Sequence, residues 1–225
     1  MTEPEPLADP VLDAARIAAA DRMRDVSHAL MGHHQDVANL DKLVKMLDEV
    51  LPDLRSGPKN IRSLDRWSQD RRAQELPDDE AAFPLHLDRP VSGAGNPWSI
   101  PLSVVRKGDR AVTTVSLREA FEGAPGRSHG GVVTAIFDDL CGYVLTMLQT
   151  MAFTAWIRVE FRHGTPLGHP ITFSAWLERQ EGRKLFIEGE CTDGTRPDGD
   201  NVLTHCHALF VIPPGMEAPA GSGEA

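Results

Sequence analysis

The turn Gly126-Arg127-Ser128-His129-Gly130-Gly131 leads into Val132-Val133-Thr134-Ala135-Ile136-Phe137, and two adjacent acids, Asp138 and Asp139, follow. Glycines remove side-chain bulk where backbone N–H groups must come close to a ligand. The first N–H groups of a helix have no internal acceptor and lie at the positive end of its dipole. They suit an anion, or a carbonyl oxygen becoming one. A carboxylate farther up the same helix can then act as base or nucleophile on that carbonyl. These are the ingredients of acyl transfer, with the Gly130 N–H as donor and Asp138 as carboxylate.

The same residues carry a family resemblance. Phe121-Glu122-Gly123-Ala124-Pro125-Gly126-Arg127-Ser128-His129-Gly130-Gly131, with Asp138 nine residues after His129, resembles the signature of hotdog-fold acyl-CoA thioesterases of the phenylacetate-pathway (PaaI-like) group. The resemblance covers roughly Ala94 to Pro213 and leaves the first ninety or so residues unexplained. It implies that Asp138 either deprotonates water or attacks to form an anhydride. It also implies that Thr154, on the strand after the helix, helps place the water or the carboxylate. His129 would orient the loop or touch substrate, with Gly131 and Asp139 on the substrate side. The implied assembly is a homodimer or a dimer of dimers with the site between subunits. Coenzyme A, present only as part of the acyl-CoA substrate, would meet cations, for which Arg127, Arg158, Arg162 and Lys184 are candidates. No metal or redox cofactor is implied. One departure stands out: related enzymes often carry Asn or Gln six residues before the His, and this chain has Gly123. Asp139 or Glu122 are the available substitutes. Two other functions compete: a non-catalytic acyl-CoA or lipid-binding module, and a hotdog hydratase or dehydratase, which needs a His paired with an acid.

The elements that must position these residues follow from periodicity. Asp9 to Met31 and Val37 to Leu54 repeat apolar residues at helical spacing, and Ser56-Gly57-Pro58 closes the second run. Ile61 to Leu76 reads as a further short helix. Leu102 to Val105 and Val112 to Leu117 form a hairpin about Lys107-Gly108-Asp109. The long helix is expected from His129 to Thr150. Four strands follow, at Thr154 to Phe161, Ile171 to Leu177, Leu185 to Cys191 and Val202 to Ile212. Hairpin-length links make them largely antiparallel. The fold class is therefore α+β: a hotdog fold, a curved antiparallel sheet wrapped around one long central helix, with an N-terminal helical extension. The expected divisions are a disordered tail at 1–8, a helical extension at 9–90, the hotdog domain at 94–213 and a disordered tail at 214–225.

On a helical wheel, Val133, Ile136, Phe137, Leu140, Val144, Met147 and Leu148 make one stripe that should face the sheet. Opposite lie Ala135, Gly142 and Thr146, flanked by Asp138 and Asp139. Gly142 costs about 1 kcal/mol relative to Ala inside a helix, so another element should approach there. By the resemblance that neighbour is a second subunit. Trp156, Trp176, Phe173 and Phe186 are the aromatic residues available to line an acyl pocket.

Composition narrows the function classes. The 225 residues include 41% hydrophobic and 25% charged residues, ordinary for a globular protein. A formal net charge of −10 argues against general nucleic-acid binding. Cys141, Cys191 and Cys206 show no CxxC spacing and read as buried, reduced thiols. No basic-then-apolar leader begins the chain and no apolar run approaches the ~20 residues of a membrane span. The expectation is a cytoplasmic protein without membrane insertion. His33-His34 and the alternating His205 and His207 lack a third metal ligand at a recognised spacing. No Gly-x-Ser-x-Gly elbow, phosphate-binding loop or dinucleotide fingerprint occurs.

Overall fold

The computed structural model describes residues 9–59, 76–196 and 199–216. The helix expected across Ile61 to Leu76, and both expected tails apart from residues 214–216, lie outside them. Helix α1 (Pro10–Gly32) starts at Asp9, whose carboxylate accepts from the Val11 and Leu12 N–H groups. Helix α2 (Val37–Ser56) starts at Asp36, which accepts from the Asn39 N–H in the same way. Aspartate at this position satisfies N–H groups that the helix itself cannot.

The main domain contains strands β1 (Val105–Lys107) and β2 (Arg110–Ser116), helix α3 (Gly130–Met147), and strands β3 (Phe153–Phe161), β4 (Pro170–Glu181), β5 (Lys184–Thr192) and β6 (Val202–Val211). The strands form one six-stranded sheet in the order β1-β2-β4-β5-β6-β3. All five pairings are antiparallel, as the short connections required. Left-handed glycines close two of these turns, Gly108 between β1 and β2 and Gly182 between β4 and β5. Glycine adopts that backbone region without strain.

Helix α3 lies on one face of the sheet. Val133, Ile136, Phe137 and Leu140 are fully buried against alternate sheet residues, among them Ile171, Phe173, Leu185 and Ile187. Phe137 meets the Phe173 ring edge-on, with centroids 5.2 Å apart. It also sits directly over Gly189, where a Cβ would come within 2.9 Å of the ring. By length and apolar composition α3 is long enough to cross a membrane, but its apolar residues are the core of this domain.

The expected role of the small-residue strip is corrected in part. From Cys141 to Thr146 every residue of α3 is buried within this one chain. Tyr143, from this stretch, meets Phe83 and His86, and its hydroxyl lies 3.0 Å from Ser92 Oγ. The loop segment before β1 therefore covers this part of the helix, a placement that helical periodicity does not reveal. Helix α1 holds the same segment. Buried Arg24 donates to the carbonyls of Asn96 (2.6 Å) and Ala94 (3.1 Å) and to Ser99 Oγ (3.1 Å), and it pairs with Asp21. Helix α2 is different: it has no buried residue, and Val37, Leu40, Val44, Leu47, Leu51 and Leu54 are all exposed.

Candidate active site

The turn before α3 is knotted by its own backbone. Gly123 N–H donates to Arg127 O (2.9 Å), Arg127 N–H to Ala124 O (2.8 Å) and His129 N–H to Phe121 O (2.8 Å). Gly126, at φ 69°, accepts the left-handed conformation this path needs. The departure at Gly123 has a steric cause. A Cβ there would lie 2.8 Å from His129 Cα, so no longer side chain fits without moving the turn. Of its two expected substitutes, Glu122 accepts from the Gly126 N–H at 2.6 Å and holds the turn.

His129 caps the helix: its Nδ1 accepts from the Gly131 N–H at 3.0 Å. The Gly131 N–H is therefore engaged within the chain. The Gly130 N–H meets no acceptor among the described residues. Gly130 lies against the tip of Phe161 at the end of β3, 3.1 Å from where a Cβ would stand.

The two acids of α3 diverge because neighbouring helix residues point about 100° apart. Asp138 is exposed, and its Oδ1 accepts from Thr154 Oγ1–H at 3.0 Å. Asp139 turns the other way, nearly buried, 3.8 Å from the Arg89 guanidinium, which stacks 4.0 Å over the Tyr143 ring. This places Asp139 in the contact between α3 and the covering segment. Gly130 and Asp138 are eight residues apart, about 12 Å along a helix axis. They stand at opposite ends of the β3 edge, Gly130 by Phe161 and Asp138 by Thr154.

The cations also separate. Arg127 donates to Gly164 O at 3.3 Å, and Arg162 follows β3 directly, so both lie at the helix-start end of the sheet. Arg158 pairs with Glu160 at 2.7 Å in a groove with Trp156, Phe186 and His207 on the opposite sheet face. Lys184 pairs in register with Val211, at the other end of the strands. The expected aromatic residues do not surround the turn. Phe173 is core, and Trp176 and Phe186 lie beneath Arg110 and Arg179.

An apolar cavity of about 200 Å³ opens instead beside the helix start. Val91, Trp98 and Ile100 wall one side, and Phe121, His129, Gly131, Val132 and Ala135 the other. Periodicity alone gave no signal for Val91, Trp98 and Ile100. All three cysteines are free and buried. Hydrogen bonding to Cys206 and burial push the Cys141 thiol well up, and burial pushes Cys191 up, so neither is a ready thiolate.

With this geometry in view, comparison with known proteins is informative. Residues 126–199 match the thioesterase superfamily model. A solved crystal structure of a thioesterase superfamily protein superposes with a TM-score of 0.69 at 24% identity, covering 93% of this chain and 97% of that chain. The domain has the hotdog fold of that structure, and its residues 126–199 resemble the thioesterase superfamily. Acyl-coenzyme A thioesterase THEM4 of Xenopus laevis is 32% identical over 92 residues, 40% of this chain and 40% of the relative. The Mus musculus protein of the same name is 32% identical over 101 residues, 44% of this chain and 42% of the relative. The hotdog chain thus spans about two fifths of the length of the curated relatives it matches. The superposition covers 93% of this chain and so extends beyond the hotdog domain into the N-terminal extension.

Proposed function

We propose that this protein hydrolyses an acyl-CoA thioester to the free acid and coenzyme A, as a homodimer whose sites each draw on two chains. The observation that carries the reading is Asp138, exposed on a core helix and held by the Thr154 hydroxyl at 3.0 Å. The Thr154 hydroxyl, sixteen positions later on β3, fixes the direction of this carboxylate. The named relatives are acyl-CoA thioesterases, which favours a thioester as the carbonyl compound.

The Gly130 N–H holds the thioester carbonyl oxygen at the positive end of α3. Asp138 removes a proton from a water molecule, and the hydroxide oxygen bonds to the carbonyl carbon. Negative charge moves to the carbonyl oxygen and is stabilised by the N–H. The C–S bond then breaks, and the thiolate takes the proton back from Asp138. About 12 Å of helix between Gly130 and Asp138 is too far for both to serve one carbonyl in one chain. The sheet offers a solution. Its β1 edge is covered by residues 81–83, whereas no described strand pairs with the outer side of β3. Phe153, Trp156 and Phe161 are exposed on β3. A second copy across this edge, related by a two-fold axis near Ile157, sets Asp138 of the partner subunit toward Gly130. Arg127 and Arg162, at the same end, are the cations for coenzyme A phosphates.

Thiol release from an acyl-CoA panel tests the activity. Mixing Asp138→Asn with Gly130→Pro protein tests the geometry. Each alone is expected to be inactive, and random reassociation should restore about a quarter of wild-type activity, because half the dimers then contain one intact site. No recovery in a mixture shown to exchange subunits would place both groups in one chain and overturn the shared site.

A further inference from the structure

We propose that the cavity beside the start of α3 takes the acyl group, and that the segment of residues 91–100, gripped by helix α1 of the N-terminal extension, sets how long that group can be. The inference rests on the thioester-hydrolase reading for the identity of the ligand, but its walls are defined independently. The cavity reaches Gly131 at the helix start, so a carbonyl on the Gly130 N–H has its tail directed along the face of Val132 and Ala135. The opposite wall, Val91, Trp98 and Ile100, lies outside the matched superfamily segment. That wall is built in place: Ile100 N–H donates to Val91 O at 2.6 Å, and buried Arg24 of α1 grips Ala94, Asn96 and Ser99 between them. The second wall is fastened to the same helix. His28 Nδ1 accepts from the Ala120 N–H at 3.0 Å, and its ring meets Phe121 edge-on at 5.0 Å. Helix α1 thus spans both walls and fixes the space between them.

The size of the space selects the ligand. An engineered apolar protein cavity of about 150 Å³ holds benzene, six carbons. In proportion, the 200 Å³ here holds an apolar acyl tail of about eight carbons. Trp98, 68% exposed, stands at the rim rather than in the core, so it can be changed without a packing defect.

Non-hydrolysable alkyl-CoA thioethers of two to sixteen carbons, titrated calorimetrically into the full-length protein, read the pocket without turnover. Affinity should tighten about fourfold per methylene until the tail fills the cavity, near eight carbons, and then stop rising. Ala135→Leu adds three carbons to the wall and should move that break about three carbons shorter, leaving the two-carbon ligand within about twofold. Trp98→Ala should move it longer, and its exposure keeps the test valid if Ala135→Leu folds poorly. A break at the same length in all proteins, or affinity that climbs unbroken to sixteen carbons, overturns the proposal. The matching thioesters separate this from the activity itself. A shifting break with no turnover upholds the pocket and sinks the hydrolase. Turnover abolished by Asp138→Asn, with an unmoved break, does the reverse.

Discussion

Asp138 and Asp139 are chemically identical neighbours whose roles were divided by one step of helix rotation. Asp138 keeps solvent and a hydroxyl donor, whereas Asp139 pairs with Arg89. Asp138→Asn should lower kcat by roughly 10²- to 10⁴-fold while leaving the melting temperature unchanged, since the side chain is exposed. Thr154→Ala frees the carboxylate and should lower kcat by roughly tenfold to a hundredfold with little change in KM. Equal kcat in wild type and both variants would remove Asp138 from the chemistry. Gly130 permits a cleaner separation of N–H from shape. Proline is favoured at the first helical position, where it has no N–H to lose to the helix. His129, at φ −63° and ψ 133°, already has the extended backbone a following proline demands. Gly130→Pro should therefore fold and lose about 10²- to 10³-fold in kcat. Gly130→Ala keeps the donor and only presses on the exposed Phe161 ring, so it should retain most activity. Comparable losses in the two would assign the effect to crowding.

Two elements hold loops and helices by groups that titrate, and the windows differ. Burial, with the Arg118 charge nearby, lowers the His28 pKa below 6.5, and the ring accepts from the Ala120 N–H. A depressed pKa contributes stability that is complete above the unfolded value, so this part is full above about pH 6.5 and is lost as pH falls below it. Asp193 is held at about 2 by the Thr195 hydroxyl and N–H and by His169, tying the β5–β6 loop to the β3–β4 loop. Its contribution is complete above about pH 3.8 and drains away as pH drops toward 2. Melting temperature against pH should show both slopes in the wild type. His28→Ala should flatten the upper one and Asp193→Asn the lower one. If both slopes survive both substitutions, other groups control acid unfolding.

At the scale of the whole molecule, the two sheet edges are unequal, and the proposed assembly uses the uncovered β3 edge. Ala155 is the residue by-passed where the β3–β6 register shifts between Thr154 and Trp156, so it has no paired position in β6. Proline at an edge bulge costs no ladder bond within the chain but denies one to an added strand. Ala155→Pro should therefore convert a dimer to a monomer by light scattering, and activity should fall with the dimer fraction. A monomeric wild type that is fully active would end the shared-site proposal.

The order of helices and strands, the antiparallel pairing and the turn before α3 were legible in the residues, because each rests on short-range periodicity or turn chemistry, whereas the pairing of Asp138 with Thr154 was legible only through the family resemblance. Most boundaries moved slightly, β4 running to Glu181 rather than Leu177 and α3 ending at Met147 rather than Thr150, but the first strand expected at Leu102 to Val105 lies at Val105–Lys107 instead. Periodicity reports that a face is apolar but not what covers it. It was therefore tertiary packing that laid residues 83–104 over the upper half of α3, gave Asp139 to Arg89 and pressed Gly123 against His129. The same packing drew Val91, Trp98 and Ile100 beside the turn before α3 and left Trp176 and Phe186 on the far side of the sheet. These contacts join residues tens of positions apart, and nothing in local sequence spacing encodes which apolar surface finds which. One turn and one helix were enough to raise the proposed chemistry; the shape of the space around them came only from the fold.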